Sequence, residues 1–582
     1  MARQLEKFPN LVTMFLARAS EKGDAPFLWA KRDGKWKSIS WREAARQTAA
    51  FAESLKRIGV APGDRVMLVS ENRPEWLIAD LGIMAAGAGT VPAYTTNTVR
   101  DHTHILGNSG AKAVIVSSQK LARNLIPAVL FSSECHHVIG IEDIRTGQAP
   151  GTVDFHHWDE LIAGDPDLSA LKQRLQTVNR DDLACIIYTS GTGGAPRGVM
   201  QHHGSILANL EGAADVISTD FGWDDEVFLS FLPASHAYEH TGGQHFPIGL
   251  GAQIYYAESL EKLAANIEEV RPTIMVVVPR LFEMLRARIL KTIEGSGGIS
   301  MYMLKRALSI GAKKYEGRKN PLDLPMDGIL SLTLRKKVRG RFGGRMKAMV
   351  SGGAPLNPEV GMFFQSLGLT FLQGYGQTEA GPVISCNRPA AGLRMDSVGP
   401  PVKGCEVRIA EDGEIMVRGE LVMHGYWQNP DETKRVLGDD GWLATGDVGH
   451  LDERGRIVIT DRKKDLIVND KGDNVSPQRV EGMLTLQPEI AQAMVYGDRR
   501  PYLVALLVPE AEYADKPDLQ QRISKAVDKV NADLSVIERV RRFIIADEPF
   551  TTDNEQLTPS LKIRRHVIKK VYGERLDAFY GH

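Results

Sequence analysis

Short runs of aliphatic and β-branched residues alternate along this chain with longer amphipathic stretches. Val66–Val69, Ala113–Val116, Ala184–Tyr188, Gln253–Tyr256 and Ile274–Val278 are apolar runs bounded by small or polar residues, the pattern of buried strands. Helical segments separate them over most of the first 450 residues. That alternation predicts an α/β protein of layered, mostly parallel sheets and helices. Leu11, Val12, Phe15 and Leu16 recur at helical spacing behind Asn10 and predict a helix docked on the core. No repeat of roughly 20 to 50 residues is visible, which argues against a solenoid.

The texture changes past Gly455. A strand Ile457–Ile459 runs into the charged Asp461-Arg-Lys-Lys-Asp465, and Ser476-Pro477 supplies an N-cap and a first-turn proline. Strands around Ala493–Val495 and Leu503–Val508 follow, with helices to the end. The expected organisation is a large domain over 1–460 and a small α+β domain over 461–582, with the boundary near Asp461. Between Lys291 and Met346 lies a helical and loop elaboration of the large domain. From Arg335 to Lys347, across its end, Arg335, Lys336, Lys337, Arg339, Arg341, Arg345 and Lys347 occur with no acidic residue among them. Two readings stand: a solvated helix face, or a patch for an anionic ligand or membrane surface.

Composition narrows the class. The 582 residues are enough for at least two lobes with large cores, and 43% hydrophobic with 25% charged residues is ordinary for a soluble globular protein. Lys and Arg number 71 against 72 Asp and Glu, so no general attraction to nucleic acid or anionic membrane is expected. Cys135, Cys185, Cys386 and Cys405 form no Cys-x-x-Cys pair, which argues against a disulfide framework or zinc site and suits a reducing cytoplasm. Cys135-His136-His137 is a weak metal candidate, because adjacent ligands point in different directions. No apolar stretch approaches the roughly 20 residues that span a bilayer, and Glu6, Lys7 and Pro9 interrupt what a secretory signal needs. A cytoplasmic location is expected.

The candidate chemistry begins at Tyr188-Thr-Ser-Gly-Thr-Gly-Gly-Ala-Pro-Arg-Gly198. A predicted strand ends there in hydroxyls and glycines, with Thr189, Ser190, Gly191, Thr192, Gly193 and Gly194 leaving backbone N–H groups open to phosphate and Arg197 adding charge. It is not a P-loop, which needs Gly-Lys-Ser/Thr at its end. A flexible surface loop is the alternative for the glycines alone. Two further strands feed small-residue turns, at Ser351-Gly-Gly-Ala-Pro355 and at Gly374-Tyr-Gly-Gln-Thr-Glu379, and several such turns at one sheet edge would form a nucleotide crevice. Tyr375 offers a face for a purine, Thr378 a hydroxyl for phosphate and Glu379 a carboxylate for Mg²⁺. In Thr445-Gly-Asp447 the acid can take both ribose hydroxyls.

Taken in order, these motifs together with Asp461–Asp465 resemble the signatures of the adenylate-forming enzymes, which include acyl-CoA synthetases, peptide-synthetase adenylation domains and firefly luciferase. The resemblance runs from Asn72-Arg-Pro-Glu-Trp76 to Lys562. It implies a small C-terminal domain that rotates about Asp461 between two half-reactions: a carboxylic acid and ATP give acyl-AMP and pyrophosphate, and CoA then displaces AMP. By that resemblance Lys562 meets the charge developing on the α-phosphate. Asp447 and Arg462 hold the ribose, and Gly353, Ala354 and Pro355 line the adenine beside Gly374, Tyr375, Gly376 and Gln377. Glu379 holds Mg²⁺. His236, in Phe231-Leu-Pro-Ala-Ser-His-Ala-Tyr-Glu239, borders the carboxylate or is structural. Asp470-Lys-Gly-Asp-Asn474, with Gly472 and Asn474, swings in to line the CoA channel.

Val278-Pro-Arg-Leu-Phe-Glu283 and the insertion before Ser351 are similar to the long-chain fatty acyl-CoA synthetases. The implied substrates are therefore a long-chain fatty acid, ATP and CoA, with an apolar tunnel to which Ala237, Tyr238, Gly242 and Gly243 contribute. Two positions depart from the family loop: Gly193 follows Thr192, and Arg197 stands where lysine is usual, so charge is kept but in a planar fork. An enzyme loading a carrier protein and an AMP-binding homologue with weak catalysis remain alternatives. Oligomeric state is left open, a homodimer included, as is peripheral contact with the inner face of a membrane.

Overall fold

A computed structural model describes residues 4–145, 153–189, 195–295, 297–318, 320–471, 473–558 and 562–581. Two large sheets form the body. The first has seven strands, with Arg65–Val69, Gly89–Ala93, Ala113–Val116, His137–Gly140 and Asp154–His157 in parallel register. Leu183–Thr189 beside Gly89–Ala93 and the antiparallel Arg197–His202 complete it. The second has eight strands: a parallel centre including Val227–Ser230, Gln253–Tyr256, Ile274–Val277, Ala348–Ser351 and Phe371–Gly376, and one antiparallel partner at each edge. The central strands are apolar on both faces because helices cover both sides. The helix Pro74–Ala85 between the layers is buried at every residue.

Each predicted strand is present, with ends moved by a few residues at most. The helix behind Asn10 runs Leu11–Lys22, and the Asn10 Oδ1 accepts from the Thr13 N–H at 2.8 Å, as an N-cap should. What the βα alternation did not anticipate is an antiparallel four-stranded sheet made of Glu406–Ile409, Glu414–Arg418, Leu443–Leu451 and Ile457–Arg462. Its strands are half-exposed, so their apolar signal is diluted by polar alternation. The strand carrying Asp461 belongs to this sheet, pairing Asp447 with Arg462 and Val448 with Asp461.

Beyond it, Ile490–Tyr496, Leu503–Pro509 and Val540–Ile545 form a small mixed sheet flanked by Pro477–Leu484, Leu519–Ala532 and Arg565–Asp577. Two apolar clusters drawn from residues 467–576 make up the core there. Arg565 grips Glu481 with two bonds of 2.6 Å, and Glu481 also accepts the Val495 N–H at 2.7 Å.

The basic run is not a uniform patch. Arg335 is buried against the Ser366 carbonyl and Asp327, Arg341 pairs with Glu268, and Lys347 pairs with Asp224 and Glu226. Lys336 and Lys337 lie exposed on the helix Leu334–Arg341.

Candidate active site

The strand ends meet where the sequence motifs converge. Tyr375, buried near the end of Phe371–Gly376, donates its hydroxyl to Asp447 Oδ2 at 2.7 Å, and Asp447 Oδ1 pairs with Arg462 Nε at 2.9 Å. Gly376 must be glycine: a Cβ there would lie 1.9 Å from the Pro382 carbonyl oxygen. That close approach turns the chain so that Gln377 N–H bonds the Pro382 carbonyl and Thr378 offers its carbonyl to Gln201. Glu379 follows, its Oε1 accepting the Tyr426 hydroxyl at 2.8 Å.

Arg197 lies with its guanidinium carbon 4.4 Å from the Tyr426 ring centroid and its Nη1 2.9 Å from Glu432. Its charge is thus tied through Tyr426 to Glu379. Thr189, the partner of Arg197 in the strand register, has a buried hydroxyl with no hydrogen bond among the described residues, an unfilled polar position at the mouth of the glycine loop. Ser190, Gly191, Thr192, Gly193 and Gly194 lie outside the described residues, as does Gly472. Gly353, at φ +80°, and Ala354 and Pro355 stand exposed past the strand Ala348–Ser351. Gly374 pairs with Cys386 across the sheet edge. Asn474 opens the strand Asn474–Val475, which pairs with Ile467–Val468; between them the Asn469 side chain accepts from the N–H groups of Lys471 and Asp473.

Lys562 sits at a turn closed by Thr558, whose N–H bonds the Lys562 carbonyl at 2.8 Å and whose hydroxyl accepts the Lys562 N–H at 3.0 Å. The residue is open to solvent, yet its ammonium is near enough to feel the charges of Arg462, Asp447 and Glu379. Crowding by protein atoms and the Arg462 charge lower its pKa, against the pull of Asp447 and Glu379. Lys464, which sequence reasoning left inside its motif without a role, is lowered by the same burial and by Arg462 and Arg197. Asp447 is raised by burial, opposed by Arg462, Tyr375 and Lys562. Lys562, Lys464, Arg462 and Arg197 thus gather near two carboxylates, and burial together with the arginine charge depresses both lysines, as happens where an anion is missing. Tyr426 is the other participant the sequence did not reveal, since its contacts with Arg197 and Glu379 exist only in the fold.

His236 caps the short helix Ala237–Glu239, its Nδ1 accepting the Tyr238 N–H at 3.1 Å. Burial and the Lys562 charge push its pKa down to about 4, so the ring is neutral and its proton is on Nε2. Next to it the Tyr238 hydroxyl bonds the Val350 carbonyl at 2.7 Å. Tyr238 and Gly242 then line a largely apolar cavity with Phe228, Phe246, Val276 and Leu372. Gly243 serves otherwise: a Cβ there would meet the Glu239 carboxylate at 2.2 Å. Ala237 is buried outside the cavity lining.

A family model described as AMP-binding enzyme matches residues 15–427, and one described as AMP-binding enzyme C-terminal domain matches residues 464–582. The chain belongs to the AMP-binding enzyme family. It is 33% identical to the long-chain-fatty-acid–CoA ligase FadD15 of Mycobacterium tuberculosis, over 96% of both chains. It is 28% identical to the chloroplastic long-chain-fatty-acid–[acyl-carrier-protein] ligase AEE15 of Arabidopsis thaliana, over 97% of this chain and 89% of that one. Among solved structures, the adenylation domain of a carboxylate reductase from Mycobacterium chelonae shares the fold with a TM-score of 0.75 at 23% identity, covering 99% of this chain and 92% of that one.

The histidines set a pH dependence. Burial lowers His102 and His236 to about 4 and His203 to about 3, from 6.5. As pH falls through 6.5 the unfolded chain takes up these protons and the folded chain does not, so stability is intact above 6.5 and is lost below it. Glu239, raised by burial to about 8, and His240, raised against its burial to about 10 by the Asp80 charge, work in the opposite direction, but burial also lowers His137, His245 and His424, so six groups stand against two. The urea midpoint is expected to fall between pH 7 and pH 5.5; a midpoint that holds or rises contradicts these burial assignments.

Proposed function

We propose that this protein activates a fatty acid with ATP, giving acyl-AMP and pyrophosphate, and then transfers the acyl group to CoA. The observation that carries this is the grouping of Lys562 with Arg462, Asp447 and Glu379 and with a neutral His236, which stands two residues before Tyr238 in the wall of an apolar cavity. A carboxylate cannot expel oxide, so its oxygen must first bond to the α-phosphorus while pyrophosphate leaves. His236, with Nε2 protonated, donates to the incoming carboxylate and orients it. The ammonium of Lys562, a compact charge on a flexible stem, meets the negative charge building on the α-phosphate oxygens. Arg197 and Lys464 balance the departing pyrophosphate, and Thr189 offers it a hydroxyl. Asp447, held by Tyr375 and Arg462, takes the ribose hydroxyls, and Tyr375 with Gly353, Ala354 and Pro355 borders the adenine.

Glu379 fits a magnesium site: its Oε1 is oriented by Tyr426 while its Oε2 makes no hydrogen bond among the described residues, leaving a hard oxygen donor of the kind Mg²⁺ takes alongside phosphates. Bound there, the ion would neutralise phosphate charge.

For the second step we infer rotation of residues 461–582 about Asp461, which withdraws Lys562 and brings the Asp470–Asn474 hairpin to the site. The apolar lining and the likeness to FadD15, a long-chain-fatty-acid–CoA ligase, support a long acyl chain. The likeness to AEE15 keeps a carrier-bound pantetheine as the second acceptor, and comparing thioester formation with free CoA and with acyl-carrier protein decides between them.

Leu322, Leu324 and Leu332 are 85%, 67% and 76% exposed beside Lys336 and Lys337. We read this corner of the inserted helices as a weak contact with an anionic lipid surface, from which such acids partition. Flotation with phosphatidylglycerol vesicles is expected to recover the protein, with loss in Leu322→Ser/Leu332→Ser; equal recovery of both proteins sinks this contact.

Lys562→Ala is expected to lower acid-dependent pyrophosphate release by about 10²- to 10³-fold while sparing thioester formation from supplied acyl-AMP; full adenylation by the variant refutes the assignment. Gly242→Leu is expected to cut kcat/KM for long-chain acids by about tenfold or more and to leave short acids unaffected. Equal loss for both would place the acyl chain elsewhere.

A further inference from the structure

Behind the cavity lies a buried polar cluster that the reaction does not use. His240 and His245 both donate from Nε2 to a single oxygen, Asp80 Oδ2, at 3.0 Å each, and all three side chains are fully buried. The two imidazoles meet edge to face at 4.7 Å, and Trp76 packs edge-on to His240 at 5.7 Å. The converging donor atoms suggest a metal. However, the His245 Nδ1 lacks a hydrogen-bond partner among the described residues, whereas a metal-bound histidine ordinarily anchors its second nitrogen, and His240 lies beside the Cys185 thiol. Hydrogen bonding to one carboxylate accounts for the arrangement.

The backbone explains why that carboxylate matters. His240–His245 is a π-helix, a local widening of an otherwise α-helical path. Residues five apart in an α-helix point about 140° away from each other, so both imidazoles can reach one oxygen only in the wider turn. The opposite side of the same turn faces the acyl cavity, where Thr241 and Gly242 are part of the wall. A Gly242 Cβ would stand 3.2 Å from Val276, and the Thr241 hydroxyl bonds the Gly381 carbonyl at 3.2 Å, next to the Gly374–Glu379 turn.

We infer that Asp80 is a specificity-determining positioning residue: by binding His240 and His245 together it holds the π-turn open and so fixes the depth of the acyl cavity. The inference rests on the acyl-activating function proposed above. If the pair is broken the turn relaxes toward an α-helix, residues 241 to 244 rotate, and a side chain replaces Gly242 at the wall.

The test is a kcat/KM profile over saturated acids from short to long, read by pyrophosphate release, for wild type, His245→Leu, His245→Asn and His245→Gln. Leucine cannot donate to Asp80 and asparagine is too short to reach it, whereas the glutamine amide can. The Leu and Asn variants are expected to shift the preference toward shorter acids by about tenfold, mainly through KM for the acid, with KM for ATP unchanged. Gln should restore the wild-type profile. If the Leu variant does not fold, the Asn and Gln pair carries the comparison. An active wild type with unshifted Leu or Asn profiles, or a Gln profile as shifted as Asn, overturns the inference and leaves the function standing. A wild type inert toward every acid removes the function and this inference with it.

Discussion

The ion pair between Asp447 and Arg462 is the contact on which the rest of the site depends. Asp447 is almost wholly buried, and a carboxylate in that position persists only if it is paired and hydrogen-bonded. Tyr375 supplies the hydrogen bond from the eight-stranded sheet and Arg462 the charge from the residue after Asp461. One side chain thus joins the main body to the point where the chain departs for its C-terminal part. Arg462 directly follows Asp461, so the proposed rotation about Asp461 would pivot beside this pair.

The surrounding charge explains what such a site can accept. Lys562 and Lys464 are both pushed below their ordinary basicity by crowding and by neighbouring arginine charge, a condition that a bound polyphosphate would relieve. Only part of that charge is free. Arg197 already has a partner in Glu432 and a platform in Tyr426, and the ring beneath it also orients Glu379. A lysine could not cover that ring with a planar fork, so the arginine at this position is tied to a local architecture rather than being a simple change of charge carrier.

The sequence was most legible where a local rule decides structure. Strands such as Ala113–Val116 and Ile274–Val277 are apolar because both faces are covered, and the caps at Asn10 and Ser476 are made by side chains acting on their own helices. The motif residues Tyr375, Asp447, Arg462 and Lys562 could be named, but that one carboxylate gathers three of them could not be read from their spacing. Contacts that exist only in three dimensions left no local trace. Tyr426 between Arg197 and Glu379 is one case, and the antiparallel sheet around Asp447 is another. Composition could not divide the basic run, because Arg335 and Lys347 are structural ion-pair partners whose acidic mates lie elsewhere in the chain while Lys336 and Lys337 stay exposed.

The segment from His236 to His245 shows why the two halves of the site cannot be tuned separately. His236 faces the Lys562 charge, Tyr238 ties to the Val350 carbonyl of the strand that leads to Gly353, Thr241 ties to Gly381 below the Glu379 turn, and Gly242 walls the acyl cavity. Ten residues therefore touch the carboxylate, nucleotide and acyl regions at once. A regular α-helix repeats its faces every 3.6 residues, so it would present His240 and His245 to different neighbours and turn Gly242 off the wall. The wider turn resolves that geometric conflict, but a π-turn is rarely stable on its own and needs a tertiary contact to hold it. Asp80, from a helix with no exposed residue, is rigid enough to provide it. On the proposed function, shape selection for the acyl chain is thereby anchored in a helix buried at every residue, while Lys562, the proposed partner of the phosphate, lies beyond the proposed pivot at Asp461.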